Sequence, residues 1–256
     1  MVVNGYRPFL HLSVTYNLYV GNIQTVRMSV NPQSRKTKST GRDASSGAGR
    51  GAGAAQRRTQ RDRSDETRAA LIAAARRLFA VEGYANVGTE AIVEAAGVTR
   101  GALYHHFADK TELFGAVLEA VEADVMVAID QAVSDKATNV GDDVLALMRL
   151  GSAAWLDACG TAEVQQIALS DAPSVLGWQR WREIGAAHGL GLVESLLVAG
   201  VSTGQIPEQP TRPLAHVILA AVDEAALYIS QSDDPETARG EMDGVLETLI
   251  SAIAAS

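Results

Sequence analysis

The sequence lacks several features that would place it in common protein classes. Cys159 is the only cysteine among 256 residues, so no internal disulfide can form, which excludes a small disulfide-bonded secreted domain. The longest apolar stretch is interrupted by His216, Asp223 and Glu224, short of the roughly 18 apolar residues that a spanning helix needs. The N-terminus also lacks the small-residue cleavage site of a signal peptide. We therefore expect a cytoplasmic protein with no membrane contact.

Basic residues are outnumbered, and they are unevenly distributed. The chain has 22 Lys and Arg against 30 Asp and Glu, a formal net charge of -8. Residues 1–63 hold 11 basic and 2 acidic residues, residues 64–110 hold 5 and 6, and residues 111–256 hold 6 and 22. A basic arm on an acidic body prompts a search for a DNA or membrane contact. The net charge of the whole chain therefore says little about the partner.

Residues 1–63 form a basic extension. Within it, residues 29–63 have almost no large apolar side chain and many glycines, which predicts disorder because too little surface can be buried. Residues 1–27 alternate apolar and polar positions without a partner strand, and translation from Met28 or a later start is an open alternative. Two roles for the extension stay open: a passive tail, or added DNA contacts through Arg57, Arg58, Arg61 and Arg63.

From Ser64 onward, apolar residues recur at helical spacing, and no segment alternates as a strand or precedes a glycine-rich phosphate loop. Ser64 is the predicted N-cap of a first helix that ends near Gly83. A second helix is predicted from Thr89 to Gly97, a third from an N-cap at Thr99 to about residue 106, and a fourth after a capping box that begins at Asp109. Five more are predicted, at residues 140–158, 162–170, 173–199, 213–230 and 235–254. The expected fold class is all-α.

The second and third helices, joined by a tight turn at Gly97, have the size of a helix-turn-helix. In that motif the second helix enters the major groove of DNA and exposes small, polar or cationic residues. Arg100 is the candidate for a bidentate contact to guanine, and Gly101 allows close approach of the backbone. Thr89, Thr99, Tyr104 and Lys110 are the candidate phosphate contacts, and His105 also faces the groove.

Five short segments within residues 67–118 resemble the DNA-binding domain of the tetracycline-repressor (TetR) family. They are AARRLF at 74–79, GY at 83–84, TEAI at 89–92, AAGVTRGALYHHF at 95–107 and DKTEL at 109–113. The resemblance implies an all-helical homodimer with a three-helix DNA-binding domain at 64–110 and an effector-binding, dimerising domain at 111–256. It implies a transcriptional regulator that binds a palindromic operator in double-stranded DNA as a repressor, is released by a small-molecule effector, and needs no cofactor.

Candidate effector-binding residues lie in the predicted body. Trp178 and Trp181 are one helical turn apart, and with Trp155 they are predicted to line an apolar pocket in which Arg180 or Arg182 holds an anionic group. Packing in the core or at a dimer interface is the alternative. The last two helices carry long apolar faces, which would form a four-helix bundle between two subunits or pack within one chain.

The residues indicate neither metal binding nor catalysis. His105 and His106 are adjacent and therefore lack the spacing of a zinc pair on one helix, so we expect no metal site. No Ser, His and acid signature supports catalysis, and Cys159 is predicted to be a small buried apolar residue. A regulator rather than an enzyme is therefore expected, the alternative being a helical enzyme or small-molecule binding protein whose DNA-binding head has degenerated.

Overall fold

The computed structural model describes residues 48–254, with side chains described for residues 61–136 and 140–254. All regular structure in these residues is helical, which confirms the predicted all-α fold. Residues 1–47, and with them most of the predicted disordered extension, lie outside the described residues. The elements in chain order are α1 (Ala48–Glu82), α2 (Thr89–Ala96), α3 (Arg100–His106), α4 (Lys110–Val140), α5 (Val144–Cys159), α6 (Ala162–Val164), a π segment (Gln165–Asp171), α7 (Ala172–Leu176), α8 (Trp178–Ser202), α9 (Thr211–Ser230) and α10 (Pro235–Ala254).

Helix α1 is longer than its sequence pattern indicates. It begins at Ala48, so the predicted N-cap at Ser64 is wrong, as is the predicted disorder of residues 48–63. The physical reason is that the Ala, Gln and Arg residues of this stretch are strong helix formers even where nothing apolar is available for burial. The chain divides into two units between Ala69 and Ala70, and every side-chain arrangement described below lies in the second unit.

The turn between α2 and α3 has the predicted helix stop and the predicted N-cap. Gly97 ends α2 with φ 67°, in the left-handed region that glycine enters without steric cost. The Val98 amide then donates to the Val93 carbonyl at 3.0 Å, and the Thr99 hydroxyl accepts from the Ala102 amide at 3.2 Å. Gly97 as the helix stop and Thr99 as the N-cap of α3 are both confirmed.

Helix α4 begins with the predicted acidic cap. The Asp109 carboxylate accepts a hydrogen bond from the Glu112 amide at 2.8 Å, which confirms Asp109 as the N-cap. The Glu112 carboxylate reaches back to the Ala108 amide at 2.6 Å, one residue before the position that a standard capping box would bond. The two bonds fix the direction in which α4 leaves the end of α3.

Three aromatic rings join α1 to the first turns of α4. The Phe79, Tyr84 and Phe114 ring centroids lie 5.1 to 5.6 Å apart, and Phe79 and Phe114 are fully buried. Leu103 from α3 is also fully buried. The first turns of α4 therefore carry core residues that accompany the predicted DNA-binding domain, and the domain boundary between residues 110 and 111 stays a prediction.

The helix predicted at residues 173–199 is two helices. Gly177 separates α7 from α8 with φ 79° and ψ 155°, a conformation that is essentially restricted to glycine. The helix predicted at 162–170 widens into the π segment and continues through α7. Sequence spacing missed both features because a single-residue break or a one-residue widening barely changes the apolar periodicity.

Two helices, α8 and α9, are long and apolar enough to span a membrane by length and composition alone. Core helices of water-soluble proteins pass the same test, and an ion pair joins these two helices through Arg182 and Asp223 at 3.4 Å. The expectation of no membrane contact stays a prediction.

Candidate functional site

One face of α3 carries the residues predicted to contact DNA. Thr99, Arg100, Gly101, Tyr104 and His105 are all exposed. On the opposite face, Leu103 is fully buried, and Phe107, which follows the helix, is 2 % exposed. The helix is thus anchored by its apolar residues and presents short, polar and cationic groups together, as insertion into a major groove requires.

The Arg100 side chain contacts two neighbouring side chains at the surface. Its guanidinium lies 2.9 Å from the Glu90 carboxylate on α2, and its Cζ lies 5.6 Å from the centre of the Tyr104 ring. Hydrogen bonds from Arg100 and Thr89 lower the pKa of the Tyr104 phenol. Thr89, Arg100 and Tyr104, which were predicted separately, therefore form one surface cluster.

Glu90 is a member of this cluster that sequence reasoning missed. The sequence marks it only as part of a family segment, and the nine residues between it and Arg100 cross the turn, so no helical spacing connects the two. Both side chains are largely exposed, which makes the pair weak in free energy. The pair offsets part of the charge of Arg100, and the contact of Arg100 with a guanine edge stays a prediction.

Lys110 has a structural role beside its predicted phosphate contact. Its ammonium donates to the carbonyls of Tyr84 at 2.8 Å and Val87 at 3.0 Å, and it lies 3.9 Å from the centre of the Tyr84 ring. Partial burial lowers the pKa of the ammonium. Because an ammonium has three donors, one remains for a phosphate, and that contact stays a prediction.

A cavity of about 100 Å³ lies in the second unit. Residues of α4, α5, α8 and α9 line it together with Ala168 and Leu169 of the π segment, and most of these side chains are apolar. Gly151 on α5 and Gly185 on α8 also line it, and a Cβ atom at either position would meet no atom within 4 Å. The cavity is partly open to solvent, and a mainly apolar recess with a few polar groups has the properties of a small-molecule site.

The structure brings together most of the residues predicted to bind an effector. Trp155, Trp181 and Arg182 all line the cavity. Trp178 does not, and it is 58 % exposed. Its ring packs against the outside of Trp181, with centroids 4.9 Å apart, because the two residues follow each other by one turn of α8. Of the predicted cluster, Trp178 is therefore the member that the structure leaves outside the site.

Two carboxyl groups of the cavity were missed by sequence reasoning. Glu122 on α4 is only 4 % exposed, and burial and the nearby charge of Asp223 raise its pKa to about 8. Burial raises the pKa of Asp223 on α9 to about 6, against the opposing effect of Arg182. Glu122 lies among the apolar positions of a core helix, so a helical wheel would have revealed it as an acid on the buried face.

The indole N–H of Trp155 is buried and, within the part of the chain described above, has no hydrogen-bond partner. A buried donor without an acceptor costs about 1–3 kcal/mol in a folded protein. A water molecule in the cavity would supply the acceptor that this donor needs.

Replacing Glu122 with glutamine is expected to change how stability depends on pH. Between pH 5 and about 8 the folded wild type holds a proton on Glu122 that the unfolded chain has lost, so its free energy of unfolding falls as pH rises. Glutamine does not titrate. The stability of Glu122→Gln relative to wild type should therefore increase from pH 6 to pH 7.5, by at most about 1.4 kcal/mol per pH unit.

Urea unfolding at fixed protein concentration measures this difference. Glu119→Gln, which changes an exposed acid on the same helix, is the matched control and should show the wild-type slope. Parallel pH profiles for wild type and Glu122→Gln would contradict the prediction.

The π segment connects the cavity to the DNA-binding helices. Ala168 and Leu169 line the cavity, while the Asp171 carboxylate accepts a hydrogen bond from the Tyr84 amide at 2.7 Å. Just before this segment, Glu163 forms a bidentate ion pair with Arg76 of α1, with N to O distances of 2.7 and 2.8 Å. The π segment therefore contacts both the cavity and the connection between α1 and α2.

Two family descriptions match this chain. Residues 71–117 match the family described as bacterial regulatory proteins, tetR family, and residues 145–253 match the family described as tetracyclin repressor-like, C-terminal domain. The first match covers α2, α3 and the start of α4, and the second covers the helices that follow, with most of the cavity wall.

Individual proteins agree with this result. The crystal structure of a TetR-family transcriptional regulator from Pectobacterium atrosepticum is 32% identical, with a TM-score of 0.65, and the alignment covers 77% of this chain and 98% of that one. The regulator AcrR of Shigella flexneri is 40% identical over 68 residues, which are 27% of this chain and 32% of AcrR. TtgR of Pseudomonas putida is 48% identical over 64 residues, 25% of this chain and 30% of TtgR. The chain thus spans about a third of the length of these curated relatives.

Proposed function

This chain belongs to the TetR family, and on that premise we propose that it is a homodimeric transcriptional repressor that a small-molecule effector releases from a palindromic DNA operator. The observation that carries the DNA-binding part is the exposed face of α3, where the Arg100, Tyr104 and Thr89 cluster stands opposite the buried Leu103. Each recognition helix would read one half-site, with half-sites about 34 Å apart.

The proposed dimer interface lies on α9 and α10. These helices pack on each other within the chain, yet both keep large apolar side chains exposed to solvent. Val217 is 64% exposed, and Tyr228, Val245 and Leu249 are each about half exposed. Intrachain packing therefore leaves part of the apolar faces uncovered, and a second copy of the two helices would cover it in a four-helix bundle.

The cavity is the proposed effector site. Its apolar wall and its three ionisable groups favour an organic ligand over bulk water. A ligand that prefers one arrangement of the surrounding helices would change operator affinity by its difference in affinity for the two arrangements. The π segment is the proposed route, because it carries both cavity residues and the Asp171 contact to Tyr84.

Replacing Asp171 with alanine is expected to weaken the coupling between the cavity and the operator. The substitution removes the acceptor of the Tyr84 amide, so movement of the π segment no longer pulls on the residues before α2. We expect the coupling free energy to fall by about 0.5–2 kcal/mol. By reciprocity, operator DNA should alter the emission of the cavity tryptophans Trp155 and Trp181, and Asp171→Ala should remove most of that change.

This measurement is made in a Trp178→Phe background, which removes the exposed tryptophan. Asp171→Asn keeps an acceptor oxygen for Tyr84 and is the matched control, with an emission change near that of wild type. If Asp171→Ala retains the full emission change while binding the operator, the π segment is not the route.

The proposed function as a whole is tested by footprinting the purified full-length protein on the DNA upstream of its own gene. We expect protection of a two-fold symmetric site and, on a reporter gene, lower transcription in the presence of the protein. Absence of any protected site, or protection without two-fold symmetry, would contradict the proposal.

A further inference from the structure

Taking the proposed effector role of the cavity as the starting point, we propose that its ligand is a small apolar monocation, an amine with a compact ring or branched aliphatic body, whose ammonium binds at the carboxyl group of Glu122. The chemical class follows from three features of the cavity: the balance of its charges, the partners of its arginine, and its size and wall.

The cavity wall has one more acidic side chain than basic ones. Of the residues that line it, two are acidic, Glu122 and Asp223, and one is basic, Arg182. Arg182 and Asp223 are 3.4 Å apart and offset each other. Among the described residues, no donor is hydrogen-bonded to the Glu122 carboxyl. Because a buried carboxylate needs a partner of opposite charge, Glu122 holds a proton unless a cation binds beside it, and a cation is therefore the ligand charge that this carboxyl group favours.

An anionic ligand, by contrast, would have to share Arg182 with Asp223, because Arg182 is the one basic side chain among the described residues of this wall. Arg182 is engaged with Asp223 and lies over the Trp178 ring, 5.9 Å from its centroid. Arg180 points to different partners, Glu119 at 3.2 Å and Glu183 at 3.8 Å, and does not line the cavity. Arg180 therefore lies outside the cavity, whereas a contact of Arg182 with an anionic group stays a prediction.

The size and wall of the cavity define the rest of the ligand. A volume of about 100 Å³ fits a body of about one small ring, and because the cavity is partly open to solvent, a short substituent on that ring need not be enclosed. Trp155 and Trp181 supply aromatic faces, which attract an organic cation more strongly than a neutral molecule of the same shape.

Binding of such a cation requires a proton to leave. With a pKa of about 8, Glu122 is mostly protonated at neutral pH, and only its carboxylate pairs with an ammonium group. The proton passes to solvent, so affinity for the cation should rise by up to about tenfold per pH unit from pH 6 to 8. The groups that face Glu122 are Asp223 from α9, Arg182 from α8 and the Cys159 thiol from α5, whose pKa is raised by burial, whereas the π segment supplies only Ala168 and Leu169.

The test uses three probes of nearly equal shape: benzylammonium, benzyl alcohol and benzoate. Calorimetric titration of the full-length protein at pH 7.5 should give an affinity for benzylammonium at least about tenfold above that for the other two. Glu122→Gln should reduce benzylammonium to the affinity of the alcohol, whereas Glu119→Gln, on the exposed face of the same helix, should leave the preference intact. Gly185→Val, which fills open space in the wall, should weaken every probe that binds in this cavity.

Three results would overturn the cation proposal: no binding of benzylammonium, equal or tighter binding of the alcohol or benzoate, or a preference that survives Glu122→Gln. Operator affinity measured with each bound probe separates this proposal from the proposed function. If the alcohol or benzoate binds in the cavity and releases the operator, the effector role holds and the ligand class is wrong. If benzylammonium binds as expected but leaves operator affinity unchanged, the ligand class holds and the effector role is wrong.

Discussion

Replacing Arg100 with alanine is expected to weaken operator binding by about 2–6 kcal/mol per dimer, because each of two recognition helices loses one bidentate base contact worth about 1–3 kcal/mol. Arg100 is exposed and contacts only the surface residues Glu90 and Tyr104, so the fold should be unaffected. Operator affinity measured by fluorescence anisotropy at fixed salt concentration gives the loss.

A second signature distinguishes base recognition from general electrostatic attraction. The Arg100→Ala protein should lose discrimination at one base pair in each half-site while its affinity for unrelated DNA changes little. Arg180→Ala is the matched control, since Arg180 is also an exposed arginine paired with a glutamate, on the predicted effector-binding domain. Equal loss of operator affinity in the two variants would show that Arg100 acts through bulk charge alone.

Replacing Phe114 with alanine is expected to lower the free energy of unfolding by about 3–5 kcal/mol. The ring is fully buried and makes edge contacts with Phe79 at 5.3 Å and Tyr84 at 5.1 Å. Loss of the ring removes its buried apolar surface and two aromatic contacts at once. The truncation also leaves a cavity where α4 meets the end of α1. Chemical unfolding at fixed protein concentration measures the effect, because the apparent stability of a dimer depends on concentration.

Val127→Ala provides the comparison for this variant. Val127 lies on the same helix but is 50% exposed, so its truncation should cost less than about 0.5 kcal/mol. The Phe114 substitution should also weaken operator binding where the protein remains folded, because Phe114 supports the residues that precede α2. A stability loss no larger than that of Val127→Ala would contradict the assigned core.

The DNA-binding helices show how far sequence reasoning extends. The left-handed Gly97, the Thr99 cap and the Asp109 cap each depend on residues within five positions along the chain, and all three are found in the structure. The predicted start of α1 is wrong, because a lack of apolar residues does not prevent a helix where the residues present favour one by propensity. Glu90 was missed as the partner of Arg100, because the turn that brings them together offers no fixed spacing.

For the cavity, sequence reasoning selected several of the right residues but not the contacts between them. Sequence spacing selected Trp155, Trp181 and Arg182, which line it, and Trp178, which does not. It could not reveal that Arg182 would be engaged by Asp223, 41 residues further along the chain. The charge that determines which ligand fits was therefore invisible until the helices were placed against each other.

The sequence by itself determined the helical class, the helix-turn-helix and the family, because caps, turn glycines and apolar periodicity are local signals that act over a few residues. Tertiary structure alone decided that Glu122, Arg182 and Asp223, on three separate helices, would share one cavity wall, and that the π segment would contact both that wall and Tyr84. The physical reason is that a buried charge is stabilised or left unpaired by whatever packs against it, and the partners of a helix face are set by side-chain packing rather than by spacing along the chain.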